Sequence, residues 1–176
     1  AAQWIEVVEQ VARDFDARRI MVAVTGGEPL IKEGVYDLFD ALRRNGFRYG
    51  MVSNSTRLDA TAARDLVRVG MGSISLSMDG PPELNDRLRG KGASAKTTAA
   101  IQHLKDAGYR GKLEILSTLT TPTIDTLEAM RAWIAAQRVP LWRLAPVMPI
   151  GRAEDHPELV PEAADVRRLL EWIRAA

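Results

Sequence analysis

Four short stretches hold residues whose types and spacing suit the binding of a small molecule. Residues 26–29 read Gly-Gly-Glu-Pro. Paired glycines let a ligand reach the backbone without meeting a Cβ, and they adopt φ values closed to other residues. The Glu28 carboxylate and the neighbouring carbonyls accept hydrogen bonds, which suits an ammonium group. The same four residues also make an ordinary strand-to-helix turn, with Pro29 setting the exit of the chain. Ser77 and Asp79 stand at alternate positions, so along a strand they face one side and could hold ribose hydroxyls or an amino-acid head group. Asp79-Gly80-Pro81 equally reads as a turn whose aspartate bonds its own backbone. Arg87 and Arg89 lie in a polar stretch, residues 85–90, read as a loop. An arginine fork there could grip a carboxylate or pair locally with Asp86. Residues 145–152, Ala-Pro-Val-Met-Pro-Ile-Gly-Arg, form a stiff connection. It either sets an apolar side chain against a flat ring or simply closes over the fold as a rigid loop.

These stretches fall between elements that the periodicity makes explicit. Trp4, Val7, Val8, Val11 and Phe15 recur at helical spacing, and residues 20–24 form an unbroken apolar run. A second helical pattern at Val35, Leu38, Phe39 and Leu42 closes on Asn45-Gly46. Further strands are expected near residues 48–53, 73–78, 113–119 and 141–145. Helices are expected near 59–69, around Ile101 and Leu104, around Leu127, Met130 and Ile134, and around Val166, Leu169, Leu170 and Ile173. Strands roughly 25 to 40 residues apart with a helix between each pair demand parallel pairing. Their β-branched runs predict burial on both faces. The expected fold class is therefore α/β, an open partial (βα) TIM-like barrel, since five strands are too few to close eight. Residues 79–96 and 148–161 read as long polar connections. Residues 25–29, 53–55, 77–80 and 146–152 fall at or after the C-terminal ends of strands, the side on which such barrels place their reactive groups.

Composition narrows the function classes. The chain is 46% apolar over 176 residues, enough for a core of its own. Its 24 basic and 23 acidic residues nearly cancel, which argues against a broad nucleic-acid footprint. No apolar run reaches the roughly 18 residues that span a bilayer and no signal peptide is recognisable, so a soluble cytoplasmic protein is expected. With no cysteine in the sequence, disulfides, thiolate zinc sites and clusters held by this chain's own thiolates are excluded. His103 and His156 are too isolated to suggest a metal site and read as surface residues. The chain starts without a methionine, almost directly in a helical pattern, and stops in another. It reads as residues 1–176 of a longer protein, a single incomplete domain.

The order of Val24-Thr25-Gly26-Gly27-Glu28-Pro29-Leu30, Ser77-Met78-Asp79-Gly80, Asn85-Asp86-Arg87-Leu88-Arg89-Gly90 and Pro149-Ile150-Gly151-Arg152-Ala153 resembles the radical S-adenosylmethionine (SAM) superfamily. The likeness is to the branch with cysteine-bearing C-terminal extensions (SPASM or twitch type), which includes enzymes of sulfatase maturation and of PQQ and haem d1 biosynthesis. The resemblance implies a partial (βα)6 barrel and two cofactors, SAM and a [4Fe–4S] cluster held by a CxxxCxxC loop. It further implies reductive cleavage of SAM, followed by hydrogen abstraction from a peptide or a cofactor precursor. Residue by residue, it implies that Gly26, Gly27, Glu28 and Pro29 bind the methionyl amino group, and that Ser77 and Arg89 hold its carboxylate. Asp79 adds to the polar set of that site, Asn54 lines it, and Ile150 lies against adenine. The pattern departs where Asn85 replaces a common histidine, Ser53-Asn54-Ser55 a frequent Thr-Asn-Gly, and Ala95 a common aromatic. The first strand of the family barrel and the cysteine loop have no counterpart in these residues. The expectation is a SAM-binding core that is inactive by itself; the alternative is a non-catalytic binding module that kept the barrel and lost the cluster. Without a preceding strand, the run at residues 20–24 would expose an unpaired edge through which two copies pair.

Overall fold

The structure, a computed structural model, describes residues 2–175 and, at Arg152, the backbone alone. Helices α1 (Ala2–Asp14), α2 (Val35–Arg44), α3 (Ala60–Arg68), α4 (Pro82–Arg89), α5 (Ala93–Asp106), α6 (Thr121–Ile124), α7 (Leu127–Ala136) and α8 (Ala163–Ala175) alternate with five strands. The strands are β1 (Met21–Val24), β2 (Arg48–Ser53), β3 (Ser73–Ser77), β4 (Lys112–Leu119) and β5 (Leu141–Pro146). They form one parallel sheet in the order β1-β2-β3-β4-β5. The register sets Ala23 beside Gly50 and Val24 beside Met51, then Met51 beside Ile74 and Ser53 beside Leu76. The chain divides into two compact units.

The first unit runs from α1 to Ser77 and adds residues 95–114. Its centre is Phe39, Leu42, Leu66, Ile74, Leu76, Ile101 and Leu104, all essentially without exposure. The periodicity of α2 puts Val35, Phe39 and Leu42 on one buried stripe. Phe39 stacks on Tyr49 of β2 with centroids 6.1 Å apart. The helix ends as Asn45-Gly46 predicts: Gly46 takes φ +82°, and the N–H groups of Gly46 and Phe47 cap the carbonyls of Arg43 and Leu42. Buried Glu114 accepts the Ser75 hydroxyl at 2.5 Å and lies 3.6 Å from the Lys112 ammonium, so its charge is compensated.

The second unit comprises Met78–Ser94 and Ile115–Ala176. Leu119, Ile124, Leu127 and Leu169 form its core, with Trp142, Leu144 and Trp172 packed against them. Trp142 and Trp172 meet edge to face at 5.7 Å. The indole N–H of Trp142 donates to the Ser117 hydroxyl, which in turn donates to the Met78 carbonyl.

Two expectations need correction. Burial on both faces holds for β2, β3 and β4, where all but a few positions are buried. It fails for β1 and β5, whose residues are exposed or half-buried throughout. Both are outermost in the strand order, so each has a single neighbour, and Met21 is left 52% exposed. The expected polar connection over residues 79–96 contains a helix, α4, and the start of α5. Only Leu84 and Asn85 of α4 are buried, so it shows no apolar period. It is marked instead by Pro82 in its first turn, where no N–H partner is lost. Among the described residues no helix is long and apolar enough to cross a membrane.

Candidate functional site

In the first unit the turn after β1 presents Gly26 and Gly27 at the surface. Gly26 has φ +138°, and a Cβ built on either glycine would meet nothing within 4 Å. The backbone at these two glycines is thus bare and faces open space. Glu28 behaves differently. It is only 6% exposed, and its carboxylate turns inward. Oε1 accepts the Leu30 N–H at 3.2 Å, Oε2 accepts the Asn54 N–H at 2.7 Å, and the Ser53 hydroxyl donates to both oxygens at 3.1 and 3.0 Å. A carboxylate offers about four lone-pair directions; two N–H groups and the single Ser53 hydroxyl proton, shared between the oxygens, take up most of them. The side chain thereby bolts the glycine turn to the end of β2.

The bolt continues one step further. The Ser53 hydroxyl accepts the Ser55 N–H at 3.0 Å, and Asn54 Oδ1 accepts the Thr56 N–H at 3.0 Å and the Thr56 hydroxyl at 2.6 Å. Ser55 is held at φ +68°, a left-handed conformation, and its buried hydroxyl has no partner among the described residues. Ser53 is fully buried. The sequence marked it only as part of a tripeptide, although a hydroxyl closing an apolar strand was the available signal. Beside this turn lies a cleft of about 390 Å³ lined by Trp4, Val8, Val24, Pro29 and Leu38, with Lys32 as its cation. Ser77 ends β3 at 8% exposure, and its carbonyl accepts the Thr97 hydroxyl at 3.5 Å.

In the second unit α4 gathers the polar residues. Asn85 and Arg89 stand four apart on it and so share a face. Asn85 Oδ1 accepts the Asp79 N–H at 2.9 Å. Arg89 donates from Nε to Asp79 Oδ2 at 2.5 Å and from Nη2 to Oδ1 at 3.0 Å, and the Thr118 N–H reaches the same Oδ1 at 2.7 Å. The Asp79 carboxylate is thus committed to Arg89 and the Thr118 N–H. The suggested local pair of an arginine with Asp86 does not form at Arg89, because Asp86 caps the turn between α4 and α5. Its carboxylate accepts the N–H groups of Gly92 at 2.7 Å and Ser94 at 2.8 Å. The bond from Ser94 is the main reason its pKa lies below the ordinary 3.8. Met148 and Ile150 follow β5 at 61% and 70% exposure. Asn85 and Thr118 were not among the expected site residues, since their part depends on which backbone N–H or carboxylate lies within reach. Among the described residues no group of three or more His, Cys, Asp or Glu could hold a metal ion.

Residues 2–134 match the profile of the Radical SAM superfamily. The chain belongs to this family. Radical SAM proteins work with SAM and a [4Fe–4S] cluster, and a chain without cysteine carries none of the cluster's thiolate ligands. Among curated relatives, the mycofactocin maturase MftC of Mycolicibacterium smegmatis is 28% identical over 156 residues, covering 88% of this chain and 39% of the relative. The AdoMet-dependent heme synthase of Nitratidesulfovibrio vulgaris is 27% identical over 159 residues, covering 89% and 43%. The chain thus spans about two-fifths of the length of these radical SAM relatives. Among solved structures, native anSMEcpe with bound AdoMet superposes with a TM-score of 0.79 at 18% identity, covering 95% of this chain and 48% of that one. Streptococcus suis SuiB bound to its precursor peptide SuiA gives 0.79 at 16% identity, covering 97% and 38%. Likeness at this identity shows the fold, a TIM-like radical SAM barrel of which this chain covers part.

Proposed function

We propose that this chain is the SAM-binding core of a longer radical SAM oxidoreductase that acts on a peptide or a cofactor precursor. The observation that carries the reading is the open Gly26-Gly27 backbone fixed by the buried Glu28 bolt. With most of the Glu28 carboxylate committed inward, the glycine carbonyls share with its remaining lone pair the task of accepting a methionyl ammonium group. The carbonyls are held there by the same side chain, which is bonded to β2. Asn54, whose backbone is part of the same bolt, lines the approach. On the family resemblance alone, Ser77 and Arg89 are assigned to the methionyl carboxylate and Ile150 to adenine. When bound, SAM with the cluster supplies reductive sulfonium cleavage and hydrogen abstraction from substrate. The sequence holds no cysteine to ligate the cluster, which supports the reading that its ligands lie outside these residues and that the chain alone is inactive. The maturase and heme-synthase relatives support this choice of substrate class.

The test is 5′-deoxyadenosine formation by the full-length protein, reconstituted without oxygen with iron, sulfide, dithionite and SAM. The nucleoside should appear, and at limiting SAM it should fall at least about tenfold in Ser77→Ala. A full-length protein that binds no iron and forms no nucleoside would instead be a non-catalytic module built on the same barrel.

A further inference from the structure

We infer that Asp79 is a positioning residue: it orients the Arg89 guanidinium so that the outer half of its fork is presented to a ligand carboxylate. The inference rests on the proposed reading that Arg89 faces the methionyl carboxylate of SAM, and it assigns Asp79 a part that involves no ligand contact.

Asp79 is fastened on three sides. Its backbone N–H is capped by Asn85 Oδ1, its Oδ1 receives the Thr118 N–H, and both carboxylate oxygens receive Arg89. The Asp79 side chain is 11% exposed and that of Arg89 29%, so the aspartate is the inner partner and the arginine the outer one. The contact is the side-on bidentate kind, which fixes the guanidinium plane as well as its distance. It uses Nε and one Nη2 hydrogen, leaving Nη1 with no acceptor among the described residues. A free arginine side chain loses rotamer freedom when it is fixed. Here part of that loss is incurred on folding, before any ligand arrives. The pair is formally neutral, so the open half of the fork would hold an anion by directed hydrogen bonds more than by net charge. Asn85 belongs to the same assembly. It is fully buried, its oxygen is committed to Asp79, and its amide nitrogen is without a partner among the described residues.

The experiment is calorimetric titration of the reconstituted full-length protein with SAM and with 5′-methylthioadenosine, which lacks the methionyl carboxylate. Asp79→Asn keeps size and one acceptor but loses the charge-assisted fork. It should weaken SAM about tenfold and leave methylthioadenosine unchanged. Arg89→Gln should show the same selective loss, and the double variant should be no weaker than Arg89→Gln alone, because Asp79 acts only through Arg89. If Arg89→Gln is selective and Asp79→Asn has no effect, the positioning role is overturned while the carboxylate reading stands. If Asp79→Asn weakens both ligands equally, Asp79 serves the scaffold and the inference is again overturned. If neither variant discriminates between the ligands, Arg89 does not meet the carboxylate, and the reading beneath the inference falls with it.

Discussion

Ser53 shows how much of this site rests on one buried hydroxyl. Its one proton is shared between the two oxygens of Glu28 and it accepts from Ser55, so its loss leaves the Asn54 N–H as the remaining tie between the glycine turn and the end of β2. Ser53→Ala should destabilise the chain by about 1–3 kcal/mol, because Glu28 keeps its burial and loses a donor. Urea denaturation measures this, and a loss below a few tenths would mean that water replaces the hydroxyl. Ser55 makes the opposite prediction. A side chain at φ +68° costs roughly 1–2 kcal/mol, and its own hydroxyl is unpartnered. Ser55→Gly should therefore raise stability by about 1 kcal/mol after the extra chain entropy of glycine is subtracted. An unchanged or lower denaturation midpoint would show that the Ser55 side chain contributes packing that offsets its strain.

Helix α4 is the element on which most of the second unit's chemistry hangs, and Asp86 secures its exit. That carboxylate is held below its usual pKa chiefly by the Ser94 N–H, then by the Ser94 hydroxyl and the Gly92 N–H. A depressed folded-state value means that the stabilisation is complete above the unfolded pKa and disappears as pH falls through the folded one. Wild-type protein should therefore be more stable than Asp86→Asn at neutral pH, and the gap should close below about pH 4. A gap independent of pH would assign the effect to shape rather than charge. The elements also differ in how far the sequence disclosed them. Buried strands and amphipathic helices repeat apolar residues at fixed periods, so β2 and α2 were legible to within a residue or two. Helix α4 buries one leucine and one asparagine, and so polar a helix leaves no period to read. The Gly-Gly-Glu-Pro turn was legible as a turn between β1 and the next helical segment, whereas the direction of its carboxylate was not. Glu28 and Ser53 are 25 residues apart, and only the parallel register joins them.

For the whole chain, the outermost place of β1 is the feature with the widest reach. Its apolar run promised a buried strand, yet one edge has no neighbour and Met21 is 52% exposed. An unpaired, apolar edge invites pairing with another copy. The 176-residue chain by itself should self-associate with rising concentration, and Met21→Lys should shift it toward monomer; sedimentation velocity reads both. A wild-type chain that stays monomeric across the accessible range would show that the edge is shielded.

The order of the strands has a further consequence, for synthesis. Every strand lies next to the one made just before it, so no pairing waits for a distant segment. At roughly 5–20 residues per second a ribosome releases successive strands a few seconds apart, whereas short loops close in well under a millisecond. Each new strand with its preceding helix can thus be laid onto a finished edge before the next appears, and the sheet grows in one direction as the chain emerges.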